Sequence, residues 1–220
     1  MSVLLETPVE IYLRKDFVIT SAMLDGLSRI NQTGAEHAQQ ALAGLLAQKG
    51  EVSLEATTIL PLTMLARRLQ ESGRVYIGCH VRIFGEIQAE LYCYLERGQA
   101  RVLAEAVLKT CPPPVNPRAR SRLVHAALAE LANVLVSAYW RALHGHVPLD
   151  WRTTAPAVVD NVERVFTLAS RIGHYDSVVF HTDFRSTGPK THLFFCLIPG
   201  LDCLNRFLAH LDAGRLHPLV

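Results

Sequence analysis

The stretch 126-AALAELANVLVSAYWRAL-143 lies in a segment, residues 118–144, whose apolar residues recur at helical spacing. With an advance of about 100° per residue, one group of side chains forms an apolar stripe that we expect to face the core. Its members are Leu123, Ala127, Leu131, Val134, Ala138 and Ala142. A second, narrow stripe is small and polar and contains no Lys or Arg: Ala126, Glu130, Asn133 and Ser137. The helix is therefore predicted to carry a core face and a separate polar face.

The elements that surround this helix repeat in order. After it we predict an extended piece at 147–159, a short helix at 160–172, strands at 176–184 and 191–199, and a final helix at 200–211. Before it we predict a long helix at 20–48, an extended segment at 51–60, a short helix at 62–70, strands at 74–84 and 86–95 with Gly85 as the turn, and a helix at 98–110. The repeat predicts an α+β fold of two pseudo-symmetric halves, with one largely antiparallel sheet and the long helices packed on it.

The segment 112-PPPVNP-117 is the best internal boundary, because proline cannot continue a helix. It divides a single predicted domain, residues 1–220, into halves at about 18–112 and 117–212. At an offset of 101 residues, Leu27, Ala41 and Leu42 correspond to Leu128, Ala142 and Leu143. These identities are sparse, so the repeated order of elements is the stronger indication of a duplication.

The composition narrows the classes of function. The chain has 220 residues, half of them hydrophobic, and a formal net charge of +2. Basic residues are dispersed, so we expect no nucleic-acid partner. We also expect no membrane span and no signal peptide, and the odd, scattered cysteines are typical of free thiols in a reducing cytosol. The predicted location is cytoplasmic.

The polar stripe contains the residues with the clearest chemistry. Glu130 and Asn133 are three positions apart, so they project from the same side of a helix, and Pro156 follows downstream. A carboxylate beside a carboxamide is suited to holding a cation and orienting a water molecule. Exposed polar positions beside a core face are the plainer interpretation, and periodicity alone leaves it open.

Other residues in the chain have features of a metal site, a nucleophile or an aromatic binding surface. His144 and His146 end the predicted helix but lack a third ligand that the sequence can place, so no metal site is predicted. His181, His192 and Cys196 could imitate a Cys–His nucleophile, but no residue that would orient such a pair is evident. Trp140 and Trp151 are interpreted as packing or interface aromatics.

Residues 128–159, LAELANVLVSAYWRALHGHVPLDWRTTAPAVV, resemble the signature of the chemotaxis CheC/CheX/FliY phosphatase family. That signature is Asp or Ser, three residues, Glu, two residues, Asn, twenty-two residues, Pro. Glu130, Asn133 and Pro156 match it, whereas Ala126 replaces the first residue. The order of hairpins and helices and the ending 193-LFFCLIPGLDCLNRFLAHL-211 extend the resemblance over nearly the whole chain.

The resemblance implies an aspartyl-phosphate phosphatase. Its substrate would be the phospho-aspartate of a CheY-like receiver domain, which itself carries Mg²⁺ and a lysine, so this chain is expected to bind no cofactor. Asn133 would hold the attacking water and Glu130 would pair with the receiver's lysine, as the catalytic residues. Pro156 would support the backbone, and the absence of a polar group at Ala126 predicts reduced activity or an altered partner.

The first half carries a degenerate copy of the same signature. Asp25, Arg29, Gln32 and Glu55 occupy the equivalent positions. Arg29 would repel the receiver's lysine, so the resemblance implies one surviving site, in the second half. The alternative is a non-catalytic binding module that docks a response regulator or a CheD-type deamidase, or that pairs with a second copy of itself as a homodimer.

Overall fold

The computed structural model describes residues 11–12, 18–19, 21–46, 51–108, 116–146, 150–171, 177–188 and 190–212. A two-stranded antiparallel ribbon, β1 (Ile11–Tyr12) and β2 (Val18–Ile19), precedes the main body. The first half continues with α1 (Ser21–Leu46), β3 (Val52–Pro61), α2 (Leu62–Glu71), β4 (Tyr76–Gly85), β5 (Ala89–Glu96) and α3 (Arg97–Val107). The second half comprises α4 (Pro117–His146), β6 (Trp151–Thr153), β7 (Ala157–Val159), α5 (Val162–Arg171), β8 (Val178–Ser186), β9 (Thr191–Pro199) and α6 (Leu201–Asp212).

Seven strands form one antiparallel sheet, as predicted. Its order is β3-β8-β9-β5-β4-β6, and β7 also pairs with β4. The hairpins of the two halves meet at the centre, where Cys93 of β5 lies opposite Phe195 of β9. Each half places its remaining strand beside the other half's hairpin, so the two halves interlock. The order of elements recurs along the chain, and a duplication as its origin stays a prediction.

Alternation along the strands gives the sheet two buried faces. In β4, Ile77 and Val81 point to the larger core, which is covered by the buried sides of α1, α3, α4 and α6. Tyr76 and its neighbours on the other face pack under α2 and α5, around Phe166. The long helices α1 and α4 therefore lie on one side of the sheet together with α3 and α6, and α2 and α5 lie on the other side.

A close contact fixes how α1 and α4 pack against each other. A Cβ atom on Gly34 would lie 2.5 Å from the Tyr139 ring, so glycine is required for this approach. The Tyr139 hydroxyl donates a hydrogen bond to Oδ1 of buried Asn31 across a distance of 3.0 Å. Phe195 of the sheet packs on the same ring at 4.7 Å between centroids. This junction sets which side of each long helix faces outward.

The core face of α4 is wider than predicted. Leu131 is fully buried, but Leu123, Val134, Ala138 and Ala142 are half-buried. The centre of the buried face is formed instead by Leu128, Ala132, Leu135, Val136, Tyr139, Trp140 and Leu143. The reason is that α4 contacts α1, α3 and the sheet at once, so more than one stripe of residues is covered.

The boundaries of two predicted elements differ in the structure. Gly85 does not form the hairpin turn; it ends β4, pairs with Trp151 and has φ of 128°, where a Cβ would lie 2.8 Å from the carbonyl oxygen of Asp150. The extended piece predicted at 147–159 is two short strands, and residues 147–149 lie outside the described part. Most of the predicted boundary at 112–117, and Cys111, also lie outside it.

By length and composition alone, α4 is the one helix of the described residues that is apolar enough to cross a membrane. Its apolar side chains are nevertheless packed against α1, α3 and the sheet. These contacts make α4 a core helix of a folded domain.

Candidate functional site

The polar stripe of α4 lies at the surface. Ala126, Glu130, Asn133 and Ser137 are all exposed, although the residues on either side of them are buried or half-buried. Within the described part of the chain, the side chains of Glu130 and Asn133 make no hydrogen bond and no ion pair. The carboxylate and the carboxamide are therefore both accessible to a partner.

A shallow groove runs beside Asn133, between α4 and α1. Its volume is about 390 Å³, and it is lined by Ala41 from α1 and by Asn133, Val134, Ser137, Ala138 and Arg141 from α4. Val134 and Ala138 line this groove, which explains why they are half-buried and not fully buried. A partner that reaches Asn133 would thus meet small and apolar side chains next to polar ones.

Arg141 was not part of the predicted polar stripe. It follows Ser137 by four residues, so it continues the same line along the helix, and it is exposed. The signal was available in the sequence as a continuation of the spacing 126, 130, 133, 137. The four residues of the stripe contain no cation, and Arg141 places one directly beyond its C-terminal end.

Pro156 lies in the gap between β6 and β7, and it is half-buried. On either side of this gap the chain pairs with β4: Thr154 exchanges hydrogen bonds with Arg82, and Ala157 pairs with His80. Proline has no N–H group to donate, so it suits an interruption in the ladder at the sheet edge. β7, which begins at the next residue, contacts α4, and a supporting role for Pro156 stays a prediction.

Two of the four equivalent residues of the first half, Gln32 and Glu55, are bonded to the protein itself. Gln32 accepts a hydrogen bond from the Thr57 hydroxyl at 2.9 Å and donates one to Glu36 at 2.8 Å. Asp25 and Arg29 are exposed on the same side of α1. Glu55 lies at an irregularity in the pairing of β3 with β8, where its carboxylate accepts a hydrogen bond from the Ser53 hydroxyl at 2.6 Å and lies 3.8 Å from the Arg185 guanidinium.

The possible Cys–His nucleophile is excluded by burial. Cys196 lies directly opposite His181 in the sheet and is fully buried, and burial raises its thiol pKa well above the ordinary value. Burial, with a smaller contribution from Arg68, also lowers the pKa of His181 to about 4, and its ring bonds to the Tyr94 hydroxyl at 2.9 Å. A fully buried, neutral thiol and a neutral imidazole that is already bonded to Tyr94 do not form an activated pair.

The remaining candidates have structural surroundings. Trp140 is buried and packs edge-on against Trp151 at 5.6 Å between ring centroids, which confirms its interpretation as a packing residue. His144 is exposed near the end of α4, and the side chain of His146 lies outside the described residues. Among the residues described, no group of three or more His, Cys, Asp or Glu side chains is arranged to hold a metal ion.

Comparison with known proteins establishes the fold. No protein-family model and no curated protein sequence matches the chain. Among solved structures, it is similar to Thermotoga maritima FliY, with a TM-score of 0.62 and 10% identity over 90% of this chain and 99% of that one. The chain has a CheC/CheX/FliY-like fold.

Two further structures show the range of proteins with this fold. Borrelia burgdorferi CheX, solved in complex with CheY, BeF₃ and Mg²⁺, gives a TM-score of 0.55 and 14% identity over 76% of this chain and 96% of that one. The FliM middle domain of Vibrio alginolyticus gives a TM-score of 0.55 and 15% identity over 84% of this chain and 99% of that one. The CheC/CheX/FliY-like fold is thus shared by proteins with different names, and activity has to be argued from the site.

Proposed function

We propose that this chain is a cytoplasmic phosphatase that hydrolyses the phospho-aspartate of a CheY-like receiver domain. The observation that carries the proposal is the accessible pair on α4: Glu130 and Asn133 are exposed, three residues apart and free of bonds to the described part of the chain. The solved complex of CheX with CheY, BeF₃ and Mg²⁺ supports the class of partner.

The reaction needs positioning more than covalent chemistry. Water attacks phosphorus, the bond from phosphorus to the aspartate oxygen breaks, and a free carboxylate and inorganic phosphate result. The Mg²⁺ and lysine of the receiver neutralise charge on the phosphoryl oxygens, so the phosphatase has to supply a correctly placed water molecule. The amide of Asn133 can do this because its oxygen accepts and its NH₂ donates, and neither group is already bonded to a described residue.

Glu130 has a docking role in this scheme. Its carboxylate pairs with the receiver's lysine and brings Asn133 over the acyl phosphate. Since the pair would be partly desolvated in the complex, removing one partner is expected to cost about 2–5 kcal/mol of binding. Glu130 is exposed before binding, so the free protein is not destabilised by it.

The shallow groove beside Asn133 suits the partner that this chemistry requires. Ala41, Val134 and Ala138 provide small apolar surface next to the polar stripe. Contact of a receiver with this surface would exclude bulk water from the neighbourhood of Asn133, which strengthens the hydrogen bonds that hold the attacking water.

The second candidate function is that of a non-catalytic binding module. Ala126 favours it, because the exposed side chain at that position has no hydroxyl or carboxylate. In this case the same face would dock a response regulator, a CheD-type deamidase or a second copy of the chain.

One experiment separates the two functions. Receiver domains are phosphorylated with acetyl phosphate, and loss of phospho-aspartate is followed with and without this protein. The variants are Asn133→Ala and, as the matched control in the other half, Gln32→Ala. We expect acceleration by the wild type, a loss of about 100-fold or more for Asn133→Ala and little change for Gln32→Ala.

The other outcomes are equally informative. If the wild type accelerates hydrolysis for no receiver domain of the source genome, the phosphatase proposal fails. Binding of a phosphorylated receiver without hydrolysis would establish the second candidate. Equal activity of the wild type and Asn133→Ala would show that the site has been assigned to the wrong residues.

A further inference from the structure

Arg141 lies at the C-terminal end of a line of exposed side chains on α4 that contains the proposed site. The line consists of Ala126, Glu130, Asn133, Ser137 and Arg141. Arg141 lines the shallow groove together with Asn133 and Ser137. It is exposed, and within the described residues it makes no ion pair or hydrogen bond. An arginine in this position is therefore free to bind a partner, and its guanidinium favours carboxylates.

The charges along this line have a direction. Glu130 and Arg141 are eleven residues apart, which corresponds to about 16 Å along a helix. Asn133 lies between them, nearer to Glu130. From Glu130 to Arg141 the line passes from a negative charge, through the carboxamide, to a positive charge, and exposed Arg122 adds a positive charge eight residues before Glu130.

The corresponding line on α1 does not have this pattern. At the offset of 101 residues, Arg141 corresponds to the exposed, uncharged Gln40. Arg29 and Glu36 place a positive charge before a negative one, which is the reverse of the order on α4. A partner that fits the α4 line would meet a reversed charge at Arg29 and no charge at Gln40.

We propose that Arg141 is a second docking residue, which binds an acidic side chain of the receiver and, together with Glu130, sets the direction in which the receiver lies along α4. The inference rests on the proposed function. Opposite charges at Glu130 and Arg141 favour one orientation, since exchanging their partners would bring like charges together. A reversed receiver that paired with Glu130 and Arg122 would need a spacing of about 12 Å instead of about 16 Å. Only the correct orientation places the acyl phosphate at Asn133.

Arg141 acts in this scheme as a positioning residue. It is eight residues from Asn133, or about 12 Å along the helix axis, so it is not expected to contact the phosphoryl group. Its loss should weaken binding and leave the chemical step intact. The effect should also decrease as salt is added, because exposed charge pairs are screened.

The test compares Arg141→Ala, Arg141→Lys and Arg141→Glu with a control of equal charge change, Arg164→Glu. Arg164 is exposed on α5, on the opposite face of the sheet. With receiver domains phosphorylated by acetyl phosphate, we expect KM to rise about tenfold for Arg141→Glu and about two- to fivefold for Arg141→Ala. Arg141→Lys should retain most of the affinity, and kcat should not change in any variant.

A charge-reversal partner makes the test specific. Acidic residues of the receiver near its phosphorylation site are replaced singly by lysine, and each is combined with Arg141→Glu. Restoration of KM by one of these replacements, and by no other, would identify the carboxylate that Arg141 binds.

Three results would overturn the inference. They are an equal KM for Arg141→Glu and the wild type, an equal rise for Arg164→Glu, and a fall in kcat at unchanged KM. In each of these the wild type is active, so the proposed function survives. If the wild type neither binds nor dephosphorylates any receiver, the proposed function fails and the docking role fails with it.

Discussion

The outward faces of α1 and α4 occupy equivalent places in the two halves but differ in what holds their carboxamides. Gln32 on α1 is bonded at both its oxygen and its nitrogen, to Thr57 and Glu36. Asn133 on α4 makes no such bond within the described residues. At the offset of 101 residues, the donor Thr57 is replaced by Val158 and the acceptor Glu36 by Ser137.

This difference shows how one backbone arrangement can yield a surface that is closed to a partner and another that is open. The side chain of Val158 cannot donate a hydrogen bond, and Asn133 is shorter than Gln32 by one methylene. The contrast therefore comes from the neighbours of the carboxamide as much as from the carboxamide itself.

Two equivalent histidines of the sheet also differ in their surroundings. His80 of β4 and His181 of β8 correspond at the same offset. His80 contacts the carboxylate of Glu90, which also bonds to Arg82 at 3.1 Å. His181 contacts the neutral hydroxyl of Tyr94 instead. Equal residues in the two halves thus have different partners, a carboxylate for His80 and a hydroxyl for His181.

The largest expected effect comes from exchanging the charges of the two faces. Glu130→Arg places on α4 the residue that α1 carries, so it replaces attraction to the receiver's lysine by repulsion. We expect receiver dephosphorylation to fall by about 100-fold or more, with an unchanged free energy of unfolding. Phosphatase assays and urea denaturation measure the two quantities.

Arg29→Glu is the reciprocal change and the control for Glu130→Arg. It should leave activity at the wild-type level, because Gln32 remains bonded to Thr57 and Glu36. If Arg29→Glu reduced activity as much as Glu130→Arg, the two faces would be functionally alike and the contrast between them would be lost.

The next effect concerns the junction that orients both faces. Gly34→Leu would drive a side chain into the Tyr139 ring, and we expect it to lower the free energy of unfolding by about 3 kcal/mol. Gly44→Leu, in the same helix, meets no atom within 4 Å and should raise stability by about 0.5–1 kcal/mol, since leucine is a better helix former. Urea denaturation of both variants measures the difference.

Equal stabilities for the two glycine variants would contradict the close packing of α1 on α4 at Gly34. A loss of receiver dephosphorylation in Gly34→Leu, at a urea concentration where it remains folded, would sharpen the comparison. It would show that the open face of α4 depends on its junction with α1.

The most gradual effect is the dependence of stability on pH at His181. Burial, and secondarily Arg68, lowers its pKa in the folded protein from 6.5 to about 4, so the unfolded chain takes up the proton first as the pH falls. His181 therefore has no effect on stability above about pH 6.5 and lowers it between pH 6.5 and 4, by at most about 1.4 kcal/mol per pH unit. Urea denaturation of the wild type and His181→Gln over this range should show a shallower dependence for the variant, and identical slopes would contradict a buried neutral imidazole.

Much of the site could be predicted from local spacing. Residues three or four apart on a helix share a side, so the exposure of Glu130 and Asn133 and their proximity followed from periodicity. The element order and the antiparallel sheet also followed from patterns of a few residues. The width of the buried face of α4 did not, because it depends on how many elements pack around that helix.

The amino-acid sequence by itself determined which side chains project together from α4, and in what order helices and strands follow one another. Tertiary structure alone decided that the hairpins of the two halves meet at the centre of the sheet, that Thr57 occupies the carboxamide of Gln32, and that Ala41 and Arg141 line one groove. Periodicity reports the direction of a side chain relative to its own helix or strand. Contacts between residues distant in sequence arise when those elements pack, and no local spacing encodes them.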